Sequence, residues 1–242
     1  MIARMLAAIL CTLLIAAPAR AAQCGGDFNA FLGAMAREAA AAGISREVIA
    51  SAFAGVTQDP AVLAFDRRQH GTFRKSFEDY AATRVTASRI TRGTQMMQRH
   101  ASLLSRIERQ FGVPGALIVA IWGLETDFGS GDMGRLPVFR VLATMAHDCR
   151  RTELFQSELL AALEIVQRGD LSLRDMIGAY AGEIGQTQFL PSSYIKYGVD
   201  YDGNGHVDLR HSVSDVLAST ANLLRVNGWR TGRLGKARKT VR

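Results

Sequence analysis

The chain is 242 residues long, 48% hydrophobic and 21% charged, a balance that supplies a buried core and excludes an intrinsically disordered protein. Its formal net charge is +7, but the last 13 residues, "RTGRLGKARKTVR", hold six basic residues and no acidic ones. Without that tail, and without Arg4 and Arg20 near the N-terminus, 21 basic residues face 22 acidic ones, so no basic face points to nucleic acid.

Residues 1–21 read as a secretory signal peptide: Arg4 precedes an apolar run, and Ala19-Arg20-Ala21 fits a small-residue cleavage site. The apolar run is short for a membrane span, and Gln23 stands where lipid attachment at Cys24 would need a small residue. A soluble exported protein is expected, with no transmembrane segment after cleavage. Cys11 leaves with the signal, so Cys24 and Cys149 form an even pair in an oxidising compartment and predict a disulfide. Two unpaired buried thiols are the alternative.

After the signal, "FNAFLGAMAREAAAAGIS" has helical spacing, and Ser45 is placed to cap a second helix, "REVIASAFAGV". Residues 57–75, with Pro60 and "DRRQHG", read as a connection. One or two long helices are expected over 76–111, closing at Gly112-Val113-Pro114. A helix then runs from 116 towards Gly129, and "GSGDMGRLP" reads as a loop. Further helices are expected at 137–147, 151–168, 172–180 and 213–226, with "GEIGQTQFLPSSY" as loop and short turn. There is no internal repeat and no sustained period-two alternation, so the fold class is mainly α. The domain reading is a signal peptide at 1–21, one catalytic domain at 22–229 and a basic, solvated tail at 230–242.

In "ALIVAIWGLETDFGSG", residues Ile118, Ile121, Trp122 and Glu125 fall at offsets 0, 3, 4 and 7, a single helical stripe. A carboxyl group on an apolar stripe beside Trp122 loses hydration, which raises its pKa and suits a general acid. The residues alone also allow a buried Glu125 paired with an arginine. Asp127, two residues on, points to another helix face and is a poor second carboxylate. In "YAGEIGQTQFLPSSYIKY", Gly182, Gly185 and Gln188 suggest a tight turn that brings backbone and an amide close to a ligand. Tyr180, Tyr194 and Tyr197 offer flat faces with polar tips suited to sugar rings, or serve as ordinary packing.

"AIWGLETDFG" and "AGEIGQTQFLPSSY", with "VDYDGNG", "LASTANLLRVNGW" and "DRRQ" at 66–69, closely resemble the lytic murein transglycosylases of the B type over roughly residues 25–230. The resemblance implies a lysozyme-like transglycosylase domain with an active-site cleft. It implies a periplasmic, monomeric enzyme that acts on peptidoglycan glycan strands and needs no cofactor. Glu125 would protonate the oxygen between N-acetylmuramic acid and N-acetylglucosamine. It would then act as base while the muramoyl C6 hydroxyl attacks C1, leaving a 1,6-anhydromuramoyl end. The sugar supplies the nucleophile, so one carboxylate suffices where ordinary glycosidases use two. Gln188 would contact the sugar, with Tyr180 and Tyr194 in matching segments. Glu183 departs from the pattern, standing where many relatives carry a small residue. It is read as a salt-bridged loop residue, with an accessory carboxylate as the alternative. Relatives also continue well beyond Trp229, so the C-terminal part of the cleft is expected to be truncated. A catalytically impaired wall-binding protein and a hydrolytic muramidase are the competing readings.

"DYDGNGHVDLRH" matches the calcium loop of EF-hands at positions 1, 3 and 5 with Asp200, Asp202 and Asn204, at 6 with Gly205 and at 9 with Asp208. His206 would contribute its backbone carbonyl. Position 12 should be a bidentate Glu and is His211, so Asp215 in the next helix is expected to close the site, as an acidic residue does in the resembling enzymes. The expected ion is structural calcium, and the alternative is an Asx-rich turn that caps the following helix. Zinc is disfavoured, because His206 and His211 lack further histidine or cysteine companions.

Overall fold

The computed structural model describes residues 22–69 and 76–230. The expected signal peptide at 1–21 and the expected basic tail beyond Arg230 lie outside the described residues. Among the described residues eleven helices and two short strands follow one another, so the expectation of a mainly helical chain is borne out.

The core is built on α8 (Val138–His147), where Val138, Phe139, Val141, Leu142 and Met145 are each at most 5% exposed. Removing such side chains from water stabilises the fold by roughly 1.5–3 kcal/mol each. The long α9 (Thr152–Gln167) packs along α8, and α10 (Pro191–Tyr197) packs in turn on α9. Near the N-terminus, α1 (Phe28–Ala41) and α2 (Arg46–Phe53) close the other side of this pair. Ser45 caps α2 as read from the sequence, its hydroxyl accepting the N–H of Val48 at 3.2 Å. Cys24 and Cys149 form the expected disulfide, joining the start of the described chain to the end of α8 across 125 residues of sequence.

Three expectations are corrected. Residues 57–75 are not only a connection, because α3 spans Pro60–Arg68. Asp59 caps it and Pro60 occupies the first turn, where a missing N–H costs nothing. The stretch 76–111 holds three helices rather than one or two: α4 (Phe77–Arg84), α5 (Ala87–Arg99) and α6 (Ala101–Phe111). Thr86 separates the first pair by capping α5. The helix expected at 172–180 is absent. Ile177–Gly178 is a strand, β2, that pairs antiparallel with β1 (Leu136–Pro137). That pairing reaches across some 40 residues of sequence, and the backbone takes its hydrogen bonds there instead of in a helix.

The remaining helices frame the site. α7 (Gly115–Thr126) runs through the body, and α11 (Val213–Val226) packs against α6, α7 and α10. α4 and α5 contribute no fully buried side chain. Of the two, α5 packs against α7.

Candidate active site

Burial corrects the stripe on α7. The buried residues are Gly115, Ile118, Val119, Trp122, Gly123 and Thr126, so the apolar face continues from Trp122 to Thr126, and Glu125 borders it on the open side. Glu125 is an exposed residue and makes no hydrogen bond or ion pair among the described residues. Protein around its carboxyl group nevertheless removes water and pushes its pKa above the ordinary carboxylate value. The charge of Glu183 adds to the rise, and that of Arg84 opposes it.

Glu183 acts on a second group as well. The pKa of the Tyr180 hydroxyl is raised, first by burial and then by Glu183. The carboxylate of Glu183 accepts the N–H of Ala181 at 3.0 Å. No cation among the described residues pairs with it, so the reading of Glu183 as a salt-bridged residue does not hold there. Through these charges Glu125, Glu183 and Tyr180 belong to one region of the surface.

The turn after Glu183 is shaped by Gly185. Its φ is +79°, and a Cβ there would come within 2.3 Å of the Leu209 carbonyl oxygen, so no other residue fits. Beyond the turn Gln188, itself left-handed at φ 52°, donates its amide to the Gly185 carbonyl at 2.8 Å. Gln188 and Tyr180 line a common hollow of about 330 Å³ with Asp132, Arg135 and Leu136. The structure thus brings two of the sequence-derived contact residues together.

Tyr194 is corrected. It is 1% exposed, its hydroxyl donates to the Val207 carbonyl and accepts the N–H of Leu209. Burial holds that hydroxyl firmly protonated. Tyr194 is a core pillar between α10 and the loop before α11, with no face left for a sugar. Tyr197 is also buried.

Gln186 was missed in the sequence. It is 7% exposed, and its Oε1 accepts the indole N–H of Trp122 at 2.8 Å. Its backbone carbonyl accepts the Thr126 hydroxyl at 2.5 Å, and its amide donates to Arg210. One side chain therefore bolts the end of α7 to the Gly185 turn. Nothing local distinguishes Gln186 from Gln188, since only the fold decides which of the two turns inward.

Residues 27–240 match the family described as the transglycosylase SLT domain. The chain belongs to that family. The resemblance drawn from its motifs is borne out, and so is the lysozyme-like transglycosylase fold. This SLT domain is 34% identical over 161 residues to membrane-bound lytic murein transglycosylase B of Escherichia coli K12, covering 66% of this chain and 42% of that protein. It superposes on SltB3 of Pseudomonas aeruginosa, solved in complex with NAG-NAM-pentapeptide, with a TM-score of 0.81 and 41% identity. That match covers 86% of this chain and 55% of SltB3. Slt35 of E. coli, solved in complex with calcium, gives a TM-score of 0.73 and 29% identity over 87% of this chain and 68% of Slt35. The chain spans about half the length of the first two relatives. Among the described residues no helix is long and apolar enough to cross a membrane.

The SLT domain also gathers the acidic loop. Ligand oxygens of Asp200, Asp202 and Asp215 lie within 4.8 Å of one another, a set of hard carboxylate donors of the kind calcium takes. Asp215 is fully buried and accepts the N–H groups of Tyr201 and Asp208 at 2.8 and 2.9 Å. Asp208 lies apart from this group, its carboxylate held by His211 at 2.9 Å and by the N–H of Arg210. The Asn204 side chain accepts the N–H of His206.

Proposed function

We propose that this chain is a lytic transglycosylase that cleaves the β-1,4 bond between N-acetylmuramic acid and N-acetylglucosamine in peptidoglycan without water. One observation carries the reading. Glu125, in a chain of this family, is an unpaired carboxyl group at the open end of α7 whose pKa is raised, so it keeps its proton closer to neutrality. Its proton goes to the leaving O4 as the C1–O4 bond breaks. The muramoyl C6 hydroxyl then forms the new bond to C1 and returns its proton to Glu125. Atoms and protons balance, and the 1,6-anhydro end is the product.

Gln188 and Tyr180 are assigned to sugar contact, on the strength of the hollow they share. Asp200, Asp202 and Asp215, with Asn204 and the backbone carbonyl of His206, are assigned to a structural calcium ion. Bound there, calcium would neutralise the clustered carboxylates and brace the loop that leads into α11. No cofactor enters the reaction itself. An exported, periplasmic and monomeric enzyme fits this substrate.

The experiment is incubation of the purified chain, beside its Glu125→Gln variant, with isolated sacculi, followed by mass spectrometry of the released muropeptides. Anhydro ends from the wild type and none from the variant are expected. Reducing ends in their place would assign a muramidase, with Glu183 as the second carboxylate that its position near Glu125 allows. Sedimentation with sacculi and no release would assign a binding protein.

A further inference from the structure

Glu125 has no hydrogen-bond partner of its own among the described residues, so the direction of its carboxyl group depends on how the end of α7 is held. The chain leaves that helix through Asp127 and Phe128, both left-handed at φ 52° and 63°. An aspartate at a helix end takes this region at little cost, but a bulky aromatic such as Phe128 adopts it only where the surroundings hold it there. The N–H of Phe128 closes onto the Trp122 carbonyl at 3.2 Å. The Phe128 ring lies over Gly123, where a Cβ would come within 2.6 Å of it, and the Arg92 guanidinium covers the same ring at 5.4 Å.

Asp127 is gripped more closely still. One carboxylate oxygen accepts Nη1 of Arg92, the other accepts Nε of Arg89 at 3.4 Å, and the Asp127 carbonyl accepts Nη2 of Arg92 at 2.8 Å. Arg92 thus takes hold of side chain and backbone of one residue with both ends of its fork, a geometry that the point charge of a lysine cannot reproduce. Arg89 in addition donates to the carbonyl of Arg84, joining the end of α4 to the same cluster.

Stability does not account for this arrangement. The side chains of Arg92 and Asp127 keep 35% and 32% of their exposure, and ion pairs so open to water contribute little to folding. α5 itself buries no side chain fully. Arg89 and Arg92 of this helix reach the turn that follows Glu125.

We propose that Arg92, acting through Asp127, is a positioning residue: it holds the left-handed exit of α7 so that Glu125 presents its proton to the glycosidic oxygen. The inference rests on the transglycosylase reading above and extends it to residues that touch neither substrate nor the reacting atoms.

The test uses the purified full chain and its Arg92→Lys, Asp127→Asn and Glu125→Gln variants. Two substrates are compared, soluble glycan strands and a GlcNAc-MurNAc glycoside with a nitrophenyl leaving group, which departs without protonation. For Arg92→Lys and Asp127→Asn the expected result on glycan strands is a kcat lowered on the order of 10–100-fold with KM unchanged. The loss should be clearly smaller on the nitrophenyl substrate, where Glu125 is needed only as the base for the C6 hydroxyl, while Tm stays at the wild-type value. A structural role would lower Tm and depress activity on both substrates alike, and that result overturns the inference. Wild-type kcat in Arg92→Lys, with Glu125→Gln inactive, overturns it while leaving the transglycosylase reading intact. Full activity in Glu125→Gln removes that reading and this inference together.

Discussion

The indole N–H of Trp122 donates to Oε1 of Gln186 at 2.8 Å, and this buried bond ties the helix that carries Glu125 to the turn that carries Glu183 and Gln188. The Thr126 hydroxyl reinforces the tie through the Gln186 carbonyl, and the Gln186 amide passes it on to Arg210 at 2.8 Å. One largely buried residue thereby holds the end of α7 against the Gly185 turn.

Replacing Gln186 by Ala leaves the Trp122 N–H and the Arg210 carbonyl without a partner. The expected cost is roughly 2–4 kcal/mol, or on the order of 10 °C in Tm. Gln188→Ala makes the useful contrast, because that side chain is only half-buried and bonds to its own turn. Its Tm should stay close to wild type while KM for glycan strands rises. Thermal unfolding beside steady-state kinetics checks both, and equal Tm losses in the two variants would refute the division of labour.

The pH profile reports on Glu183. Its negative charge helps raise the Glu125 pKa, so Glu183→Gln lowers that pKa. A general acid works while it holds its proton, which makes the alkaline limb of kcat/KM the limb that follows Glu125. In Glu183→Gln that limb should move to lower pH. Part of the elevation survives, because burial contributes more than Glu183 does. An alkaline limb that does not move would show that Glu183 exerts no influence on the acid.

What the sequence made legible was local. Glu125 near the end of an apolar helix, the glycine turn around Gly185 and the lone cysteine pair were each visible within a short window or by counting. The failures share the opposite property. Asp59-Pro60 reads equally as a turn or as a helix start, and only packing of Val62 into the core decides for the helix. The strand at Ile177–Gly178 exists because Leu136–Pro137 lies beside it. Tyr194 and Gln186 each sit on a segment whose inward side is chosen by neighbours remote in sequence, and no periodicity in "GQTQFLPSSY" announces that choice.

The disulfide should matter to the N-terminal side of the core. Cys24–Cys149 closes a 125-residue separation, and beside it the rings of Phe28 and Phe31 each meet the His147 ring at 5.2 Å. Cross-links over loops of this size typically contribute about 2–5 kcal/mol. Cys149→Ser, or reduction of the wild type, should lower Tm accordingly, and added reductant should have no further effect on the variant. Unchanged unfolding after verified reduction would mean that α1 stays docked by packing alone.

Calcium gives the last prediction. If the Asp200, Asp202 and Asp215 oxygens hold the ion, binding to the folded state alone raises stability by mass action, about 2.7 kcal/mol at a hundredfold excess over Kd. Tm should therefore climb with added calcium and fall back with a chelator. Magnesium should do less, since it demands a tighter octahedral shell. Asp202→Ala separates the ion from the loop's own bonding. Asp202 is exposed and its carboxylate accepts the Ser212 hydroxyl and the Asn204 N–H at the surface, so the metal-free variant should melt near the wild type and lose the calcium response. Asp215→Asn behaves differently, because Asp215 is buried and carries the N–H groups of Tyr201 and Asp208. That variant should be less stable with or without the ion. A wild-type Tm indifferent to calcium would leave the loop as an Asx-rich turn held by its own backbone hydrogen bonds, with Asp215 as its anchor.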